Sequence, residues 1–413
     1  MGRVTKLLAS WATPGRQAYD SLMELDTAAS TVEVTDNGIT LRWSNGDRSR
    51  FNSLWLRDNC PSGGDKRKDL RTFSVVDLDP DLSVVDAYRN DEGDLEVAFS
   101  DGHISVFDFD WLRDHSYEPY DRRNRIAHKE HFRAGAVLET IPMPEQGTEG
   151  HLELLTSINI WGVAIVEGVP LDVAGSEALA ALIGNVRETD FGRLFDIVVE
   201  PDPCEVSQTE LAVDPHTEDP YRYSPSGCSF LHCVESVTGG DSLFVDGFAI
   251  AEDLRDDDPD AFDLLCEIAV PFIYERNKSV DRGQDVHLVA NAPIISLDRD
   301  HEICGIRFHE RSMAPLDVDP ALMDRYYRAL ISFARMANDP SRTVQLQLQP
   351  GQAIVYDNQR VLHGRSAYTL NGGRRHFRLG TIDRDQFHSR LRRLREDHGR
   401  PGVSESLPQG SVA

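Results

Sequence analysis

The sequence predicts a mixed α/β protein, mainly β, in which a double-stranded β-helix (jelly-roll) domain with flanking helices follows a small β-rich N-terminal domain. Two observations support this fold class. From residue 31 to about 115, apolar and polar side chains alternate between Asn-Gly and Asp-Gly pairs, as in antiparallel hairpins. From about residue 150, many short strand patterns and only a few helical patterns follow, which is typical of a jelly-roll with helices packed around it.

The predicted limits are an extension at 1–30, the β-rich domain at 31–125, the jelly-roll domain at 135–395 and a disordered tail at 396–413. The chain has 413 residues, enough for two domains of this size. The tail lacks apolar periodicity, which favours disorder.

Within the second domain, strands and helices are predicted from their apolar spacing. A strand is expected at 160–166 and a helix at 176–186, with Ser176 as its N-cap. Two more helices and four more strands have clear patterns. The helices are 260–268 and 320–336, and the strands are 270–274, 303–308, 343–348 and 353–356.

Composition excludes some classes of partner. The formal net charge is −26, so nucleic acid and anionic membrane surfaces would repel the chain, and neither is expected as a partner. No apolar run reaches 18 residues, which argues against a membrane span. The six cysteines lack a disulfide or zinc spacing, and a reducing cytoplasmic location is the expectation.

The residues with the clearest chemistry are His216 and Glu218, followed far along the chain by His363. In a strand, residues two apart project to the same face, so His216 and Glu218 can both reach one metal ion. Two imidazoles and one carboxylate form the ligand set of non-haem Fe(II) centres with open coordination positions. A cupin-type zinc or manganese site and a solvated loop are the alternatives.

Arg374 and Arg375 follow His363 by 11 and 12 positions. A permanently charged guanidinium there can hold the distal carboxylate of 2-oxoglutarate while the 2-oxo acid end chelates the metal. This spacing favours the iron interpretation over the cupin one. The expected chemistry is oxidative decarboxylation with O2, giving succinate and carbon dioxide.

Several longer motifs carry a resemblance to a known family. The N-terminal domain contains Ser53-Leu-Trp-Leu-Arg-Asp-Asn-Cys60, and the second domain contains Trp161–Pro170, Thr238–Phe248 and Asp357–Arg365 around the residues above. With them, residues 31 to about 390 resemble the γ-butyrobetaine and trimethyllysine dioxygenase family of taurine dioxygenase-like Fe(II)/2-oxoglutarate oxygenases.

The resemblance implies a role for each matching position. It makes His216, Glu218 and His363 the iron ligands, although family members usually have aspartate where Glu218 stands. It makes Arg375 the residue that binds 2-oxoglutarate, with Arg374 the alternative if the preceding turn shifts register. Ser242 is expected to assist the same carboxylate.

Two departures from the family pattern concern other sites. The resemblance places a structural zinc in the N-terminal domain, but Ser62 and Asp65 stand where two cysteines are usual and only Cys60 and His103 remain, so no structural zinc is expected. The family's aromatic cage for a trimethylammonium group keeps two phenylalanines and loses two aromatic rings. The expected substrate-binding positions are Phe191, Phe195, Gln208 and Thr381, with His309 and Arg311 as candidates for binding a substrate anion.

The sequence therefore predicts an Fe(II)/2-oxoglutarate-dependent dioxygenase that hydroxylates a small polar metabolite. An amine-bearing metabolite is compatible with the expected substrate-binding residues. Ascorbate is a candidate reductant, and the resemblance is compatible with a homodimer. Three alternatives remain open: γ-butyrobetaine dioxygenase activity, another oxidative outcome such as desaturation, cyclisation or C–X cleavage, and a non-catalytic metal-binding jelly-roll.

Overall fold

The computed structural model describes residues 29–61, 73–121, 128–199, 206–276 and 285–400. The chain divides into two compact units, Met1–Ile126 and Ala127–Ala413. The extension predicted at 1–30 and the tail predicted at 396–413 lie mostly outside the described residues, and the predicted domain limits stay predictions. None of the helices in the described part is long and apolar enough to cross a membrane.

The first unit contains two three-stranded antiparallel sheets, each followed by a short helix. Alternating apolar residues of both sheets, such as Leu41 and Val97, form its buried core. Gly38 begins the second strand with a φ of +144°, and a Cβ there would lie 2.0 Å from the Phe51 carbonyl oxygen, so only glycine fits. The elements are β1 (Ala29–Thr35), β2 (Gly38–Trp43), β3 (Arg48–Asn52), α1 (Ser53–Asp58), β4 (Val84–Arg89), β5 (Leu95–Phe99), β6 (Ile104–Phe107) and α2 (Phe109–Asp114).

The first half of the second unit contains strands of two sheets together with several helices. They are β7 (Thr140–Pro142), α3 (Glu149–Trp161), β8 (Val163–Glu167), α4 (Val173–Ile183), β9 (Phe195–Val198), β10 (Val213–His216), β11 (Cys228–Glu235), β12 (Ser242–Asp246), α5 (Gly247–Asp257) and α6 (Pro259–Glu267). The remaining elements are β13 (Val270–Arg276), β14 (Val286–Ala292), β15 (Ile295–Leu297), β16 (Ile303–Ile306), α7 (Met323–Ala337), β17 (Val344–Leu346), β18 (Gln352–Asp357), β19 (Val361–Arg365), β20 (His376–Ile382) and α8 (Arg384–Asp397).

Two sheets form the jelly-roll of this unit. Their strand orders are β10-β19-β12-β17 and β7-β8-β18-β11-β20-β9, with every pair antiparallel except β7-β8. Residues of both sheets, including Phe244, Tyr356 and Phe377, share one buried cluster. The helices α3, α4 and α8 pack their apolar faces against the six-stranded sheet, whereas α5, α6 and α7 share a separate core with β13 and β16. The predicted jelly-roll with flanking helices is confirmed.

Two sequence-predicted elements need correction. Ile160 and Trp161 end helix α3, and the strand begins at Val163, because Gly162 takes the left-handed conformation (φ +78°) that terminates the helix. Helix α4 begins three residues before Ser176, with Asp172 as its N-cap. Helix α8, which was not predicted from the sequence, extends to Asp397, and its Leu391 and Leu394 reach the core.

We expect Arg360→Met to destabilise the second unit. Arg360 and Asp246 form an ion pair (Nη2 to Oδ2, 2.7 Å) in which both side chains are buried, and Arg360 also donates to the carbonyls of Ile160 and Glu130. Removing one partner leaves a buried charge unpaired, which costs about 3–5 kcal/mol of unfolding free energy. Urea unfolding measures this loss of unfolding free energy. Arg328→Met, which removes a solvent-exposed pair with Asp324, is the control and should leave the midpoint unchanged; equal midpoints for both variants would contradict the prediction.

Candidate metal centre and its cavity

Strand pairing brings the two predicted histidines together. His216 ends β10 and lies directly opposite His363 in the neighbouring strand β19. Glu218 follows two residues later, so its carboxylate reaches the same face of the sheet. One ligand atom from each of the three residues lies within 4.8 Å of the others.

The donor atoms converge on one point. Oε1 of Glu218 lies 3.1 Å from Nε2 of His363 and 3.8 Å from Nε2 of His216. Nδ1 of His216 lies 2.9 Å from the carbonyl oxygen of Asp214. Because a carbonyl can only accept, this contact places the proton on Nδ1 and leaves the Nε2 lone pair available for a metal.

The backbone of Glu218 is fixed from a distant part of the chain. Its N–H donates to Oδ1 of the buried Asn358 (2.7 Å), and its carbonyl accepts from Nδ2 of the same side chain (3.1 Å). Thr217 bonds in turn to the backbone of Phe308, whose carbonyl accepts from the Thr217 N–H at 2.7 Å. The carboxylate is therefore positioned by the fold, since both neighbouring peptide groups are held.

The electrostatics of the three residues fit a bound cation. Burial acts to raise the pKa of Glu218, but the proximity of His216 and His363 outweighs it and holds the pKa well below its usual range. Burial and the neighbouring His216 lower the pKa of His363. The set thus offers two imidazoles and one carboxylate, which suits Fe(II). When bound, ferrous iron supplies open coordination positions for a 2-oxo acid and dioxygen.

Arg375 lies in the same cavity as the three residues. Its guanidinium is buried, with the ring centroids of Phe377 and Tyr368 at 4.0 and 5.1 Å. Among the residues that the structure describes, no carboxylate pairs with it. Burial, with a smaller contribution from Arg365, lowers the pKa of Arg375 to about 10. A buried cation of this kind is a binding site for an anion.

Of the other two residues predicted to bind 2-oxoglutarate, one lies in the cavity and the other does not. Ser242 begins β12 and lines the cavity. The structure does not bring Arg374 there: it is 65% exposed and pairs with Glu235 on the surface. The cause is strand alternation, since consecutive residues entering β20 project to opposite faces.

A cavity of about 480 Å³ adjoins the metal site and receives most of the predicted substrate residues. Phe191, Phe195, Thr381, His309 and Arg311 line it. Gln208 does not, although Val206 and Ser207 of the same turn do. The ring of His309 lies 4.4 Å from that of His216, and burial, followed by the proximity of His216, lowers its pKa to about 3.

Sequence reasoning missed the aromatic rings of Tyr221 and Tyr274 in this cavity. Tyr274 of β13 lies 5.7 Å from Phe191, and Tyr221 stacks on Tyr274 at 4.8 Å (centroid distances). Phe191 also contacts Phe195 at 5.4 Å. We call Phe191, Phe195, Tyr274 and Tyr221 the aromatic wall. The position of Tyr221, three residues after Glu218, could have indicated from the sequence that this ring lies near the metal site.

The predicted absence of a structural zinc remains a prediction. Sγ of Cys60 lies 3.2 Å from Nε2 of His103, so the two retained family positions are adjacent. Ser62 and Asp65 lie outside the described residues.

Comparison with known proteins adds independent findings. A family model described as "Taurine catabolism dioxygenase TauD, TfdA family" matches residues 128–381, and one described as "Gamma-butyrobetaine hydroxylase-like, N-terminal" matches residues 31–113. The chain is 37% identical to the γ-butyrobetaine dioxygenase of Pseudomonas sp. strain AK-1, covering 91% of the chain and 97% of the relative. It is 30% identical to the mitochondrial trimethyllysine dioxygenase of Gallus gallus, covering 78% of each, and 27% identical to the human γ-butyrobetaine dioxygenase, covering 86% and 93%.

We expect His363→Ala to abolish stoichiometric Fe(II) binding, because it removes one of three converging donors. Anaerobic titration calorimetry with Fe(II) measures the loss. The matched control is His287→Ala, since His287 is exposed on β14, and it should bind as the unaltered protein does. Full retention of Fe(II) by the His363 variant would contradict the assignment.

We expect Arg375→Ala to raise the KM for 2-oxoglutarate roughly ten- to hundredfold, because a charge-assisted hydrogen bond contributes about 1.5–3 kcal/mol. Arg374→Ala, one residue away on the surface, should leave this KM unchanged. Succinate formation measured against 2-oxoglutarate concentration separates the two. The reverse ranking would move the role to Arg374.

Proposed function

Because this chain belongs to the γ-butyrobetaine and trimethyllysine dioxygenase family and is an Fe(II)/2-oxoglutarate-dependent dioxygenase, we propose that it hydroxylates a small carboxylic acid carrying a methylated ammonium group. The first candidate substrate is γ-butyrobetaine. The observation that carries the proposal is the aromatic wall, whose four rings line the same cavity as His216, Glu218 and His363.

The aromatic wall suits a quaternary ammonium group. Such a cation has no N–H to donate and is attracted to the faces of aromatic rings, with about 0.5–2 kcal/mol from each contact. From the sequence, two of the family's cage rings are replaced by Gln208 and Thr381. Tyr274 and Tyr221 lie in the cavity beside the two phenylalanines, so aromatic faces are available from other elements.

The carboxylate end of the substrate has candidate partners on the other side of His216. His309 lies against that imidazole and is neutral, because burial lowers its pKa to about 3, so one ring nitrogen can donate a hydrogen bond. Arg311 lines the cavity and has a long contact to Asp214 (3.4 Å). A zwitterion lying between the aromatic wall and this pair would present its carbon chain to the metal site.

The remaining roles follow from the positions of the side chains. Arg375 and Ser242 bind the distal carboxylate of 2-oxoglutarate, while His216, Glu218 and His363 hold the iron. Tyr368 and Phe377 exclude water from the guanidinium of Arg375, which strengthens its interaction with an anion. Ascorbate is proposed as the reductant that keeps the iron ferrous between turnovers.

A cytoplasmic location and a homodimer complete the proposal. Cys228, Cys233, Cys266 and Cys304 are free thiols, which suits a reducing compartment. The dimer is supported by the family resemblance alone, and sedimentation of the purified chain tests it.

A graded series of substrates tests the proposed activity. γ-Butyrobetaine, 4-(dimethylamino)butyrate and 4-aminobutyrate differ only in the number of N-methyl groups. We expect kcat/KM to fall along this order, because each N–H gained strengthens hydration without adding attraction to the rings. Succinate and hydroxylated product are both quantified. Faster turnover of 4-aminobutyrate would favour recognition through polar side chains such as Thr381. If none of the three compounds were hydroxylated, this substrate class would be rejected.

We expect Tyr274→Leu to raise the KM for the best substrate of that series roughly three- to thirtyfold, since one cation–π contact contributes about 0.5–2 kcal/mol. Tyr274→Phe retains the ring face and is the matched control. The KM for 2-oxoglutarate should stay constant in both variants. Equal behaviour of the leucine and phenylalanine variants would show that the ring does not bind the cation.

A further inference from the structure

Arg365 is buried in the cavity but is absent from the roles assigned above. It ends β19, two residues after His363, and is 6% exposed. Its Nη1 donates to the carbonyl of Ser207 (2.9 Å), and its Nη2 donates to those of Thr209 (2.8 Å) and Leu211 (2.6 Å). Within the described part of the chain, no carboxylate pairs with it. One guanidinium thus holds three carbonyls of a single short segment.

That segment, residues 206–212, forms one side of the cavity through Val206 and Ser207. None of its residues is fully buried, so little apolar burial stabilises its conformation. Its other anchors come from the chain just after Arg365: the Tyr368 N–H donates to the carbonyl of Glu210 (3.1 Å), and the Leu370 N–H donates to the Glu210 carboxylate (2.6 Å). Polar contacts to residues 365–370 are therefore main anchors of the segment.

The same residues contact the proposed 2-oxoglutarate site. The Tyr368 ring has Arg365 at 4.9 Å and Arg375 at 5.1 Å from its centroid. Arg365 also pairs across the sheet with Ser242. The two guanidinium groups repel each other, as the lowered pKa of Arg375 reflects after burial itself. A carboxylate bound at Arg375 would relieve that repulsion.

We propose that Arg365 is a positioning residue that makes the 206–212 wall of the substrate cavity depend on co-substrate binding. When 2-oxoglutarate is present, its distal carboxylate offsets the charge beside Tyr368, and Arg365 holds the segment more firmly. When it is absent, the segment opens more often. The inference rests on the proposed role of Arg375, and it is independent of which substrate the enzyme takes.

Hydrogen exchange of peptides covering 206–212 tests the dependence directly. The probes are Mn(II) and N-oxalylglycine, an unreactive analogue of 2-oxoglutarate, added to the full-length protein. In the unaltered chain we expect severalfold slower exchange of this segment with the analogue than with Mn(II) alone. In Arg365→Met the two exchange rates should be equal, while a thermal shift shows that the analogue still binds.

Arg307→Met is the matched control for loss of a buried guanidinium. Arg307 also donates to three carbonyls without a carboxylate partner among the described residues, but it holds Pro220, Arg222 and Tyr223. Its replacement should speed exchange at 220–223 and leave the response of 206–212 to the analogue intact. If both variants abolished that response, Arg365 would have only a general structural role, and the proposal would be overturned.

Kinetics supply a second readout. Arg365→Met should raise the KM for the substrate roughly tenfold, as loss of a hydrogen bond from a charged group implies, and should increase succinate formed without hydroxylated product. The KM for 2-oxoglutarate should change less than twofold. Failure of the analogue to shift the melting temperature of the unaltered chain would reject the role of Arg375. If the analogue bound but left hydrogen exchange at 206–212 unchanged, only the proposed dependence of this segment on the co-substrate would be rejected.

Discussion

The antiparallel register between β10 and β19 is the constraint on which the site depends. It sets His216 opposite His363, and β19 pairs on its other edge with β12, where Ser242 lies opposite Arg365. Because side chains alternate along a strand, a shift by one residue would turn His363 to the other face and separate it from Glu218. The positions of the metal-site histidines and of Ser242 therefore share one structural cause, the position of β19 within its sheet.

Buried arginines without carboxylate partners are the second organising feature. Arg375 and Arg365 line the cavity without an acidic partner among the described residues. Arg365 binds backbone carbonyls instead, as does Arg307, which also has no acidic partner in the described part of the chain. Elsewhere in this unit, a buried arginine such as Arg360 is neutralised by a carboxylate. The uncompensated charge near the metal site is costly in the empty protein and is balanced when the dianion 2-oxoglutarate binds.

Sequence motifs and the family resemblance predicted the residues for metal and co-substrate, but they did not predict all the residues that line the substrate cavity. His216, Glu218, His363 and Arg375 occupy recognisable motifs, and alternation explains why Arg375 rather than Arg374 faces inward. Tyr274 could not be foreseen, because only the folded position of β13 brings it to Phe191. Gln208 was misplaced for a related reason: in a short 3-10 turn, neighbouring residues project in different directions, and the sequence does not specify which one faces the cavity.

The division between these two kinds of residue has a physical basis. The groups assigned to metal and co-substrate lie on or beside the paired strands β10, β12, β19 and β20, where ladder hydrogen bonds fix their positions. The cavity is closed instead by segments outside that ladder: the turn at 189–195, the 206–212 segment and the end of β13. Substitutions in such segments change the shape of the cavity without disturbing the ladder. Arg365 is the exception, since it stands on a ladder strand and holds one of those segments, so a change there would affect substrate binding and coupling together.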